Sequence, residues 1–75
     1  MKEITIKISA INDVKEFVNA ISKYEFDADV VSGRYSVDAK SIMGLFSLDL
    51  SKELLLKIHS TDCDEFLTDI KRFII

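Results

Sequence analysis

The chain has 75 residues, 48% of them hydrophobic, with 13 acidic and 10 basic side chains, one histidine and one cysteine. A chain this short buries only about 60% of the surface it exposes when unfolded, which allows one small domain over residues 1–75 and excludes two. With a net charge of −3 and scattered basic residues there is no clustered basic face for phosphates, so direct binding to nucleic acid is excluded.

The single Cys63 cannot form an internal disulfide and no cysteine–histidine spacing suits zinc, so neither a metal nor a cofactor is expected. No run of about 18 apolar residues appears, and Met1–Lys7 alternates where a signal peptide needs a continuous apolar stretch. The expectation is a soluble, unexported, cytoplasmic protein with no membrane contact.

Along the chain, Ile4, Ile6 and Ile8 alternate with Glu3, Thr5 and Lys7, the period of a strand with one buried face over residues 2–9. Val14, Phe17, Val18 and Ile21 recur at helical spacing and predict a first helix to about Tyr24, with Asn12 or Asp13 as its cap. Ala28, Val30 and Val31 lead into Ser32-Gly33 and Tyr35 to Val37 returns, which predicts a hairpin. Ser41 opens a short helix through Leu48. Leu54, Leu56 and Ile58 then alternate with Leu55, Lys57 and His59 in a last strand ending near Ser60.

Thr61 or Asp62 can cap a final helix with Asp62, Asp64 and Glu65 in its first turn and Lys71 and Arg72 in its last turns, matching the helix dipole. Its apolar face is Phe66, Leu67, Ile70, Phe73 and Ile74. The order β-α-β-β-α-β-α predicts an α+β open-faced sandwich, a four-stranded antiparallel sheet with three helices on one face.

The segment Ala39-Lys40-Ser41-Ile42-Met43-Gly44-Leu45-Phe46-Ser47-Leu48 resembles the second helix of HPr, the small phosphocarrier of the bacterial sugar phosphotransferase system, especially in low-GC Gram-positive bacteria. Ile21-Ser22-Lys23-Tyr24 and Asp27-Ala28-Asp29-Val30 echo the same family, and the element order is the HPr order. By resemblance, Ser41 is a regulatory phosphorylation site of catabolite repression. Ile42, Met43 and Phe46 beside it form a docking patch for the HPr kinase/phosphorylase, enzyme I and a LacI-type catabolite regulator. Gly44 costs about 1 kcal/mol relative to alanine in a helix, so its presence at the family's glycine position supports descent.

The family's phosphoryl-accepting histidine belongs between the first strand and first helix, where this chain reads Ile8-Ser9-Ala10-Ile11-Asn12-Asp13. Aligning Ser22-Lys23 with the family puts Ala10 at the histidine position, Asn12 at the arginine position and Asp13 at the proline, in a shorter loop. The only histidine is His59. The resemblance therefore implies a histidine-lacking, non-catalytic HPr-like protein acting as a regulatory adaptor through Ser41. The alternatives are a phosphocarrier with an unconventional acceptor and an interaction module that works without phosphorylation.

Asp38 and Asp49 place negative charge near Ser41, which disfavours a dianionic phosphate. Asp27 and Asp29 read as solvated strand-edge charges, Asp62, Asp64 and Glu65 as helix-start charges, and Cys63 as a packed small apolar residue. The apolar tail Phe73-Ile74-Ile75, if part of it stays exposed, and strand exchange between protomers both suggest a homodimer.

Overall fold

The computed structural model describes residues 2–75. Four strands, β1 (Lys2–Ile6), β2 (Ala28–Ser32), β3 (Tyr35–Asp38) and β4 (Leu54–Ile58), alternate with three helices, α1 (Ile11–Ser22), α2 (Ile42–Phe46) and α3 (Asp64–Asp69). A single 3-10 turn, Lys71–Phe73, follows α3. The sheet order is β1-β4-β2-β3 with every neighbouring pair antiparallel, so β1 and β2 run parallel on either side of β4.

One face of the sheet is apolar because alternate positions were supplied for it. Ile6, Leu54, Leu56, Ile58, Ala28 and Val30 are buried there against Val14, Phe17, Val18 and Ile21 of α1, Leu45 of α2 and Phe66 of α3. Phe66 is the hub of the aromatic packing, with Phe17, Tyr24 and Phe26 all meeting it edge to face at ring centroid distances of 5.5–6.3 Å. The opposite face has no helical cover. Two rows of aligned residues, Thr5–Leu55–Val31–Ser36 and Glu3–Lys57–Asp29–Asp38, lie exposed or half-buried across it.

Two expectations need correction. Helix α1 begins at Ile11, with Ala10 as an extended N-cap that makes no side-chain hydrogen bond, so neither Asn12 nor Asp13 caps it. Asp13 instead faces Arg72, 3.6 Å away, a partner 59 positions along the chain. The last helix is capped by neither Thr61 nor Asp62, because Cys63 takes the cap position while Asp62 donates its amide to Ser60 Oγ in a local turn. That helix also stops at Asp69, and the chain tightens into the 3-10 turn.

The apolar tail is partly covered and partly exposed. Phe73 is buried and Ile74 half-buried, because the tail lies along β1: Ile74 bridges Ile6, Lys7 N–H donates to the Phe73 carbonyl at 2.8 Å, and Ile75 N–H donates to the Thr5 carbonyl at 3.1 Å. Only Ile75 stays exposed. The strap satisfies part of the β1 edge that would otherwise offer free backbone groups. No helix among the described residues is long and apolar enough to cross a membrane.

Candidate functional site

The start of α2 is built by two short-range turns. Asp38 accepts the Lys40 amide on its carboxylate at 2.9 Å and the Ser41 amide on its carbonyl at 3.0 Å, which turns the chain out of β3. Ser41 is extended (φ −99°, ψ 110°), and its Oγ accepts the Gly44 amide at 3.0 Å while its carbonyl accepts the Leu45 amide at 3.0 Å. Ser41 is therefore a true N-cap that satisfies a free first-turn donor. At the other end, Ser47 Oγ donates to the Gly44 carbonyl at 2.6 Å.

Gly44 sits in a tight space. A Cβ there would stand 3.1 Å from Val37 Cβ on β3 and 3.2 Å from Ser41 Oγ, so the missing methyl lets α2 lie close on the sheet and leaves room for the cap. With Leu45 buried inward, Ile42, Met43 and Phe46 are left facing solvent, Met43 at 82% exposure. The structure thus brings the four residues read from the sequence together on a five-residue helix and its N-cap: one capping hydroxyl and three exposed apolar side chains.

Lys40 sends its Nζ to the Tyr24 carbonyl at 2.7 Å, tying the start of α2 to the C-terminal end of α1. Beyond α2, Lys7 Nζ donates to the Ser51 carbonyl at 2.7 Å and returns the chain to the end of β1. Ala10 and Asn12 sit exposed at the opposite end of α1 from Lys40, about 18 Å away along twelve helical residues. Near them the charge is not purely negative. Arg72 reaches both Asp13 and Glu16 across the first turns of α1 and stacks on Phe73, 4.4 Å from the ring centroid.

His59 is remote from that junction. Sheet register pairs Ile6 with Leu54 at one end of β4 and Lys2 with Ile58 at the other, so His59 lies roughly 15 Å along the strand from the β1–α1 junction. Its Nε2 is 2.9 Å from an Asp29 carboxylate oxygen, in a groove on the open face lined also by Asp27 and Asp38. Asp29 is consequently a hydrogen-bond partner of His59 as well as a solvated charge. No sequence period signals this contact, although the β2–β4 register, which hydrogen-bonds His59 to Asp27, would have revealed it. Cys63 is buried at the base of α3.

Two groups depart from their usual titration. The Tyr24 hydroxyl donates to Asp69 at 2.6 Å, and that bond, with burial and the Asp69 charge, pushes the phenol up to about 12. Asp49 accepts both the Ser51 hydroxyl and amide, at 2.6 and 3.1 Å, which holds its carboxyl below the usual range. Asp49 therefore stays ionised in the loop after α2.

The family model described as the PTS HPr component phosphorylation site matches residues 3–75. The chain belongs to the HPr family. Among solved structures, HPr-C-His from Thermoanaerobacter tengcongensis is 31% identical, with a TM-score of 0.78 over 96% of this chain and 89% of that one. Two others share the fold at lower identity. A phosphocarrier protein HPr from Bacillus anthracis str. Ames is 21% identical (TM-score 0.71, 99% of this chain and 94% of that one). The histidine-containing phosphocarrier protein of a Mycoplasma is 15% identical (TM-score 0.76, 95% and 89%). No curated protein matches the sequence significantly.

Proposed function

We propose that this HPr-family chain has no histidine-based phosphoryl relay and serves as a cytoplasmic regulatory adaptor of bacterial sugar transport and catabolite repression, phosphorylated on Ser41. The observation that carries this reading is the α2 start, where a capping hydroxyl stands beside exposed Ile42, Met43 and Phe46. Ser41 Oγ accepts from the Gly44 amide but keeps its own proton, so it can attack the γ-phosphoryl group of ATP held by an HPr kinase/phosphorylase. ADP leaves and the hydroxyl proton passes to a base on the kinase.

The product phosphate would sit at the positive end of the α2 dipole, favourable by about 0.3–1 kcal/mol per charge at an exposed site. Asp38 opposes this, because its carboxylate is only three residues away and takes part in the same turn. Docking to the kinase or to a LacI-type regulator then rests on the apolar side chains, where adaptable Met43 supplies contact area.

Relay through the β1–α1 junction is disfavoured because Ala10 and Asn12 have no phosphoryl-accepting nitrogen of the imidazole type. His59 is disfavoured because Asp27, Asp29 and Asp38 surround its groove and repel a phosphoryl anion.

Incubation with a Gram-positive HPr kinase/phosphorylase and ATP should add one phosphate, lost in Ser41→Ala. An unmodified chain under conditions that modify an ordinary HPr rejects the adaptor reading. Phosphoenolpyruvate and enzyme I should leave no acid-labile phosphate. Its appearance would establish the unconventional phosphocarrier instead, and failure of both labellings would leave the phosphorylation-independent module.

A further inference from the structure

The two edges of the sheet are finished differently. The β1 edge is strapped by residues 73–75, whereas β3 is the other outermost strand and has no strand beyond it. Which of its backbone groups are free follows from the ladder. Ala39 N–H donates to the Ala28 carbonyl, and antiparallel pairs alternate between bonded and non-bonded, so Val37 and Tyr35 bond to Val30 and Ser32. Ser36 therefore aims its amide and carbonyl away from β2, as Asp38 does its amide, while the Asp38 carbonyl already accepts the Ser41 amide at 3.0 Å.

Edge protection is limited to the shortness of the strand, four residues, and one charge at each end. Arg34-Tyr35-Ser36-Val37-Asp38 holds no proline and no lysine, Tyr35 is 73% exposed, and the strand has no inward-pointing charge. Edge protection by two terminal charges would work against a random strand. Against a second copy of this strand those charges are complementary.

We propose that β3 pairs antiparallel with β3 of a second copy of this chain about a two-fold axis at Ser36. This register sets Ser36 opposite Ser36, Tyr35 opposite Val37 of the partner, and Arg34 opposite Asp38 of the partner, each unlike pair occurring twice. The backbone parity fits, because Ser36 points both its amide and its carbonyl outward and the Asp38 amide points the same way. The charge pattern also removes a local conflict. Within one chain Asp38 lies directly opposite Asp29, a like-charge pair of the destabilising kind, and a partner's Arg34 would offset it. The tyrosine, exposed in the monomer, would be covered by an apolar neighbour.

Five paired residues on each side cover much less than the roughly 1,600 Å² of a standard interface, so the dimer is weak, with a Kd on the order of 0.1 mM. Sedimentation equilibrium of the intact chain from about 10 µM to 1 mM should show mass rising from 8.5 kDa toward twice that value. Arg34→Glu and Asp38→Lys should each weaken association at least about tenfold by placing like charges opposite each other, and an equimolar mixture of the two should recover it.

Folding of each variant is checked by circular dichroism. In a Cys63→Ala background, Ser36→Cys should cross-link to itself under mild oxidation, since the two Cα atoms would lie about 5.5 Å apart, within disulfide range. Tyr35→Cys, which would face Val37 of the partner, should cross-link far more slowly. A chain that stays monomeric to 1 mM overturns the proposal. So do charge variants that associate as the parent does, as a dimer through the α2 patch or through exchange of β1 would require, and cross-linking that is equal at positions 35 and 36.

Discussion

At Gly44 two opposing magnitudes decide the outcome of adding one methyl group. Alanine gains about 1 kcal/mol over glycine in a helix, but overpacking costs about 1–3 kcal/mol. The Cβ would meet Val37 Cβ, fixed to a paired strand, and Ser41 Oγ, fixed in the cap, so neither neighbour yields cheaply. Gly44→Ala should therefore destabilise the fold by about 1 kcal/mol in urea unfolding. Ser41→Ala should cost a similar amount, about 1 kcal/mol, through the orphaned Gly44 amide. The double variant should lose less than the sum, because removing Oγ relieves one of the two clashes. Strict additivity would show that the close approach to Ser41 does not limit this position. Tyr24 offers a test of a different kind. Its folded value of about 12 lies above the ordinary phenol value of 10.0, so the stability it lends is complete below pH 10 and is lost as pH rises through 12. In Tyr35→Phe, tyrosinate absorbance should rise with a midpoint near 12, and adding Asp69→Ala should return it toward 10.0. A midpoint near 10.0 with Asp69 present would mean that the hydrogen bond does not hold the phenol.

Helix α2 separates stability from recognition along five residues. Leu45 carries the packing, Ser41 the cap and Gly44 the approach to β3, while Met43 touches little of the chain. Met43→Glu should accordingly leave unfolding free energy within about 0.5 kcal/mol yet slow Ser41 phosphorylation by the kinase at least about tenfold. A phosphorylation rate equal to the parent's would remove Met43 from the docking surface. That division was legible in the sequence because a capping serine and an apolar spacing are local signals. The hairpin was legible for the same reason, since Gly33 takes φ +59° between two alternating runs. The cap of α1 was not legible, because a distant residue holds the side chain that would have made it. Asp13 has the right chemistry to cap α1, but Arg72 lies beside it in space, and Ala10 serves with its backbone alone. The Asp29–His59 contact was hidden likewise, because it depends on which residues of β2 and β4 lie opposite each other.

Across the whole molecule, the sheet is held by long-range pairing, extended at the β1 edge by the strap from the 3-10 turn. An apolar tail reads in sequence as a surface to be covered, and periodicity cannot show that the cover is the first strand of the same chain. The strap contributes two backbone hydrogen bonds, each worth about 1 kcal/mol net, and the half-buried Ile74 side chain. Replacing Ile74 by glycine removes that side chain and raises the entropy lost on ordering the strap, at a combined cost of about 2 kcal/mol. Against a total stability of about 4–11 kcal/mol for a chain this long, the fold should survive. Local opening is the sensitive measurement. The Lys7 amide, bonded to the Phe73 carbonyl, should exchange with solvent at least about tenfold faster in Ile74→Gly, beyond the change common to all amides. The Leu56 amide, on the central strand β4, should report only the global loss. If Lys7 accelerated no more than Leu56, the tail would open only with the whole fold, and β1 would be protected by its pairing with β4 rather than by the strap.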